Sequence, residues 1–315
     1  MAMSDTSLRI PTFFLLGAPK CGTTSLAFYL GQHPDVCFSE PKEPTFFEAE
    51  YEKGLAHYRA RYFAGWRGER AAGEGRVWHL YLPFVAPRIR ESFPDARLLA
   101  ILRDPVERAH SHWWHRHSRG QETLSFEDAV ARDRARIERG ETFEGEDGER
   151  RWRAGLYRES FTSRLRVLLD PGFYAEQLER YLRLFPQEQL KVLLYEDLAA
   201  DPTGLLRDVY AFVGVDPDHR VSDVSERNVG RDRVRGPMAR RLSFGARALG
   251  LRHLVPTALR RGARARLLPE REARRPPLRD ATRGELVSFF EPHTARLEAL
   301  LGRDLASWRG GPRRS

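Results

Sequence analysis

The sequence predicts an α/β fold in three layers, a P-loop-like central parallel β-sheet flanked by helices. Three observations carry this. Short strand-like runs with apolar centres recur within 12–17, 96–105 and 188–198, the first continuously apolar, the pattern of buried parallel strands. Helix-periodic stretches alternate with them. The first run also empties into a glycine-containing loop that leads directly into a helix, the arrangement that turns backbone N–H groups toward an anion.

Taken in order, "TFFLLG" (12–17) is the first buried strand, and "TTSLAFYLGQHP" (23–34) reads as a helix. Leu26, Tyr29 and Leu30 share one face of it, Gly31 closes it and Pro34 bars continuation. "ARLLAILRDP" (96–105) is the second strand. Its exit is well marked: Asp104 suits an N-cap, Pro105 the first helical position, and Glu107 stands three residues after the cap. "EQLKVLLYEDL" (188–198) reads as a third strand, preceded by a helix in "GFYAEQLERYLRLFP" (172–186). A helix near the end places Leu297, Leu300 and Leu301 on the core. Residues 118–155 are charge-dense and read as a helix followed by a loop. Residues 227–276 form a basic, lid-like region. No repeat or linker divides the chain, so 12–309 reads as one domain between tails 1–11 and 310–315.

The 315 residues, 41% of them hydrophobic and 11% aromatic, suffice for a globular core. No stretch approaches the roughly 20 apolar residues of a membrane span. The N-terminal "MAMSDTSLRIPTFFLLG" lacks the basic leader of a secretory signal. Cys21 and Cys37 are the only cysteines, so there is no disulfide framework. A cytoplasmic location is the default expectation. The net charge of +9 suits small anionic ligands, an acidic lipid surface or nucleic acid, and equally serves solubility. Of the 53 basic residues only four are lysines: Lys20, Lys42, Lys53 and Lys191. In so arginine-rich a chain a lysine inside the glycine loop stands out, because a compact ammonium can approach a single oxygen closely.

That loop reads "GAPKCGTT" (17–24). A nucleoside-triphosphate loop would read G-x-x-x-x-G-K-[ST] and would hold Mg²⁺ with help from an acid at the end of a second strand. Here Thr23 replaces the loop lysine, Lys20 stands three positions early, and the second strand ends in Arg103. A cation there implies a second phosphate bound without metal. Ser111, two helical turns on, is placed to share it. The histidines of "HSHWWHRH" (110–117) are spaced poorly for a metal, which favours a helix packed by Trp113 or Trp114.

At these residues the chain resembles the sulfotransferases that use 3′-phosphoadenosine 5′-phosphosulfate (PAPS). "PKCGTTSL" (19–26) is similar to their 5′-phosphosulfate loop, and "LRDPVERAHS" (102–111) to their 3′-phosphate motif. "EPKEPTFF" (40–47) is similar to the segment carrying the catalytic glutamate in the glycosaminoglycan-type branch. Similarity extends over 12–308. The resemblance implies metal-free transfer of a sulfuryl group to a hydroxyl of a carbohydrate, glycolipid or secondary-metabolite acceptor, with no nucleic-acid partner. In it, Lys20 steadies charge on the oxygen bridging sulfur to phosphate. Cys21, Gly22, Thr23, Thr24 and Ser25 line the 5′-phosphate, while Arg103 and Ser111 hold the 3′-phosphate. Glu43 is the base, with a histidine, His57 or His79, as the rival. Arg231, Arg233 and Arg235 occupy the place of the loop that closes over the donor. Lys42, Arg76, Trp78 and His79 fall where the acceptor would bind, although Arg76, Trp78 and His79 depart from the family's Ser/Thr-Pro pattern. The basic region would supply any peripheral contact with an anionic membrane or lipid acceptor. Two other classes compete: a kinase with a variant phosphate loop, and an idle arginine-rich binder of nucleic acid or membrane.

Overall fold

The structure, a computed structural model, describes residues 10–157, 167–225, 231–235 and 270–310. Five parallel strands form its main sheet: β1 (Phe13–Gly17), β2 (Val36–Phe38), β3 (Ala71–Glu74), β4 (Arg97–Leu102) and β5 (Leu190–Leu194), in the order β2-β3-β1-β4-β5. Every residue of β1 is buried, as its unbroken apolar run requires for the central strand. It pairs with β3 on one side and β4 on the other.

Helices cover both faces. Those of the first half are α1 (Thr23–Leu30), α2 (Gly54–Tyr62), α3 (Val85–Ser92), α4 (Pro105–Ser118), α5 (Phe126–Glu138) and α6 (Gly145–Tyr157). Then follow α7 (Tyr174–Leu182), α8 (Tyr195–Ala200), α9 (Pro202–Val213) and the 22-residue α10 (Asp280–Leu301). The core around the sheet takes in Leu297, with Leu300 and Leu301 packed at its margin, so the C-terminal helix docks as its apolar positions predict. A second cluster, built on Val106, Trp113, Trp114, Phe126, Leu286 and Phe290, joins α4, α5 and α10. Both tryptophans of the histidine-rich helix are therefore packing residues. A separate antiparallel ladder pairs β6 (Arg231–Arg235) with β7 (Glu270–Arg274).

Two expectations need correction. The third strand stops at Leu194, and Tyr195–Ala200 is helical: Glu196 and Asp197 in the first turn suit the positive end of the helix dipole. The second half of 118–155 is helix α6 rather than a loop. Its charged residues are largely exposed, while Trp152 is fully buried against Trp78 and Phe143. The one-sided pattern outweighs the glycines. Of the basic region, 227–230 and 236–269 lie outside the described residues.

Candidate active site

The strand ends converge on one edge of the sheet, where parallel α/β sheets bind ligands. There Gly17 leaves β1, and the Ala18 N–H donates to the Ile101 carbonyl of β4 at 2.8 Å, which ties the loop to the neighbouring strand. Lys20 lies at φ 70° and Gly22 at φ 92°, both left-handed. Glycine is required at 22 for a second reason: a Cβ there would stand 2.9 Å from Cδ2 of Tyr195. The chain then enters α1, with Thr23 and Ser25 buried and Thr24 half-buried, so the helix N-terminus faces the loop. Cys21 is fully buried beneath it, its thiol pushed up to about 11, chiefly by burial. It lines the loop as a neutral group.

Lys20 Nζ lies 3.3 Å from His115 Nδ1 on α4. Burial, then the charges of Lys20, Arg119 and Arg116, push His115 down to about 3. The imidazole is thus neutral and accepts from the ammonium. His115, Ser111 and Glu107 recur every four residues, one above another on the same face of α4. Glu107 at the other end of this row lies 3.8 Å from Arg103. Ser111 therefore lies, on that face, between the two residues that the cations contact.

Arg103 leaves β4 half-buried, its guanidinium 4.6 Å from the ring centroid of Tyr195. Asp104, the acid next in line, is spent on structure. It accepts from the Val106 N–H at 2.8 Å, and from Arg283 at 3.0 Å. Three arginines surround Glu107: Arg275 at 3.0 Å, Arg283 at 2.9 Å, and Arg103. Burial alone would raise this carboxyl, but the arginines outweigh it and hold it below its ordinary value.

Across the sheet, the segment after β2 carries Lys42 and Glu43, whose ammonium and carboxylate lie 3.5 Å apart. Burial lowers Lys42 below the usual lysine range, and Glu43 opposes that. Gly75 gives the lysine its path, since a Cβ there would sit 3.0 Å from Lys42 Cε. Arg76 reaches Glu43 Oε2 at 3.3 Å through Nη1 and grips the fully buried Glu48 through Nε and Nη2, at 2.5 and 2.8 Å. With two carboxylates on it, Arg76 is an ion-pair anchor at the rim, 12% exposed, more than a free acceptor ligand.

His79 has no exposed surface. Its Nδ1 lies 3.2 Å from Glu74 Oε1, its ring packs edge-on to Phe47, and burial drives its pKa well below 6.5. That burial denies it contact with an acceptor, as base or as ligand. His57, on α2, faces Glu50 at 3.5 Å. Trp78 is half-buried between Tyr81, His112 and Trp152. Arg231, Arg233 and Arg235 lie on β6, opposite Arg274, Glu272 and Glu270. Among the described residues no group of three or more His, Cys, Asp and Glu is placed to hold a metal. No described helix is long and apolar enough to cross a membrane.

The sequence weighed His115 only as a poorly spaced metal ligand and singled out none of Tyr195, Glu48, Trp152 and Arg275. Tyr195 had a visible signal, an aromatic directly after a strand end; the others depend on tertiary approach.

A family model described as a sulfotransferase domain matches residues 11–230. The chain belongs to the sulfotransferase family. Its fold is that of a crystallised sulfotransferase from Alicyclobacillus acidocaldarius, at 32% identity and TM-score 0.62, with 95% of this chain and 99% of that one covered. Mouse heparan sulfate glucosamine 3-O-sulfotransferase 3A1 is 31% identical over 216 residues, 68% of this chain and 48% of its own length. The human bifunctional heparan sulfate N-deacetylase/N-sulfotransferase 3 is 26% identical over 325 residues, 95% of this chain and 31% of its own length. The chain thus spans about half or less of these animal sulfotransferases. Family membership disfavours both the kinase and the idle-binder readings.

Proposed function

We propose that the protein transfers a sulfuryl group from PAPS to a hydroxyl of an acceptor, with a carbohydrate or glycolipid as the favoured class. One observation carries the donor reading: a cation, Arg103, ends the strand that the phosphate loop is hydrogen-bonded to, and the neighbouring Asp104 is committed to a helix cap and an arginine. Such a pair of subsites suits two phosphates, one on each side of a nucleoside, more than a metal-bound triphosphate.

In this reading the loop amides, Thr23, Thr24 and Ser25 receive the 5′-phosphate. Arg103, with Ser111, receives the 3′-phosphate. Lys20 leaves His115 for the oxygen bridging sulfur and phosphorus, and stabilises the charge that develops there as the S–O bond breaks. Glu43 takes the proton of the acceptor hydroxyl as its oxygen bonds to sulfur, and the products are a sulfate ester and adenosine 3′,5′-bisphosphate. Of the residues weighed as base, Glu43 combines a partly open carboxylate, 36% exposed, with fixed neighbours. The carbohydrate reading is supported by the heparan sulfate enzymes among its relatives.

The test is a screen of glycan, glycolipid and hydroxylated metabolite acceptors with PAPS labelled in its sulfuryl group, without added metal. Transfer of label to at least one acceptor is expected. No transfer to any acceptor, with no rise in melting temperature from adenosine 3′,5′-bisphosphate, would overturn the reading.

A further inference from the structure

Trp152 is fully buried, yet it belongs to the charge-dense stretch that resembles no catalytic motif. Its indole N–H donates to Glu48 Oε2 at 2.9 Å. Its ring is wedged between Trp78 and Phe143, with centroids 5.3 and 5.2 Å away. Glu48 in turn accepts from two nitrogens of Arg76, and the third, Nη1, points to Glu43. A guanidinium is a rigid planar fork. Seating one edge of it on Glu48 therefore fixes where Nη1 lies, and with it one oxygen of Glu43.

From this chain of contacts we infer that Trp152 is a positioning residue for the base: it orients Glu48, Glu48 orients Arg76, and Arg76 holds the Glu43 carboxylate toward the acceptor hydroxyl. The inference rests on the reading of Glu43 as the base. It gives helix α6 a role in turnover although none of its side chains need touch a substrate. The energetic logic is that of a buried network, in which each polar group is satisfied by the next and one missing donor loosens all of them. Lys42 holds only the other oxygen, at 3.5 Å, on a flexible stem, so it cannot by itself set the direction of the carboxylate.

The experiment is a double-mutant cycle on the full chain, read by transfer of labelled sulfuryl group. Trp152→Phe keeps most of the ring and removes the N–H; Arg76→Lys keeps the charge and loses the fork. Each is expected to lower kcat by between tenfold and a hundredfold, the scale of a displaced catalytic group. Donor KM and the melting-temperature rise caused by adenosine 3′,5′-bisphosphate should not change. In a Glu43→Gln background, followed in single turnovers, Trp152→Phe should produce no further loss, because its effect runs through the carboxylate already removed. A Trp152→Phe variant with wild-type kcat would overturn the inference. So would an equal loss with and without the Glu43→Gln change, the mark of a purely structural role. Neither outcome touches the sulfuryl-transfer reading, which fails only if the wild type itself neither transfers label nor binds the bisphosphate, and the inference would fall with it.

Discussion

The guanidinium of Arg103 lies over the ring of Tyr195, 4.6 Å from its centroid, and the edge of the same ring backs Gly22. One aromatic side chain, from the first turn after β5, thereby sets the spacing of the two strand ends assigned to the donor's phosphates. Replacing it, as Tyr195→Ala, removes a cation–π contact and the wall behind the loop. Donor KM should rise roughly tenfold, as loss of one such contact predicts, while acceptor KM stays constant. Steady-state kinetics with each substrate varied in turn will check this.

Lys20 and Glu43 are assigned different steps, and their variants should differ accordingly. Lys20→Ala should cost roughly a hundredfold to a thousandfold in kcat, the scale of one lost oxyanion donor. The stabilisation by the bisphosphate product should survive, because the loop amides are untouched. Glu43→Gln should cost roughly a hundredfold or more with donor binding intact. A Glu43→Gln variant with near-normal kcat would refute its role as base.

Glu74 provides a pH-dependent test of the wall behind the acceptor side. Burial raises its pKa to about 8, with the Glu48 charge adding to the rise, while the Tyr58 hydroxyl bond and Arg76 oppose it. The folded state therefore holds a proton on Glu74 that the unfolded chain releases near 4.5. Its contribution to stability is fully present below about 4.5 and is lost as pH rises toward about 8. Relative to Glu74→Gln, the wild type should lose melting temperature steadily across that window. Parallel curves for the two proteins would contradict the assignment.

Arg283, 7% exposed along its side chain, bridges Asp104 and Glu107. Arg283→Met would leave two acids at the start of α4 without their buried partner. Removal of one member of a buried pair costs about 3–5 kcal/mol, so a clear fall in the urea midpoint is expected. It should be larger than that from Arg303→Met, whose pair with Asp197 is 45% and 42% exposed.

Much of the site was legible in sequence because its parts are local. The apolar run before "GAPKCGTT", the loop itself and the capped exit at Asp104 each declare themselves within about ten residues. The sheet order was not legible, since β2 is only "VCF" and β3 "AAGE", too short or too small to show a pattern. Helix α6 was masked by Gly145, Gly148 and its charges, and only its packing on Glu48 gives Trp152 a purpose. Arg275 escaped notice for a topological reason. It lies inside the basic region 227–276, but nothing local sets it apart from the other arginines there; only the β6–β7 ladder sets Arg231 opposite Arg274, next to Arg275, more than forty residues away in the chain.

The central claim is that the loop and Arg103 together read a nucleotide with phosphates on both its 3′ and 5′ positions. Isothermal titration of the wild type and Arg103→Ala with adenosine 3′,5′-bisphosphate and adenosine 5′-monophosphate, in the absence of metal, tests it directly. The wild type should bind the bisphosphate much more tightly than the monophosphate, and Arg103→Ala should abolish most of that difference. Equal binding of the two nucleotides by the wild type, or a preference for ATP once Mg²⁺ is added, would contradict it.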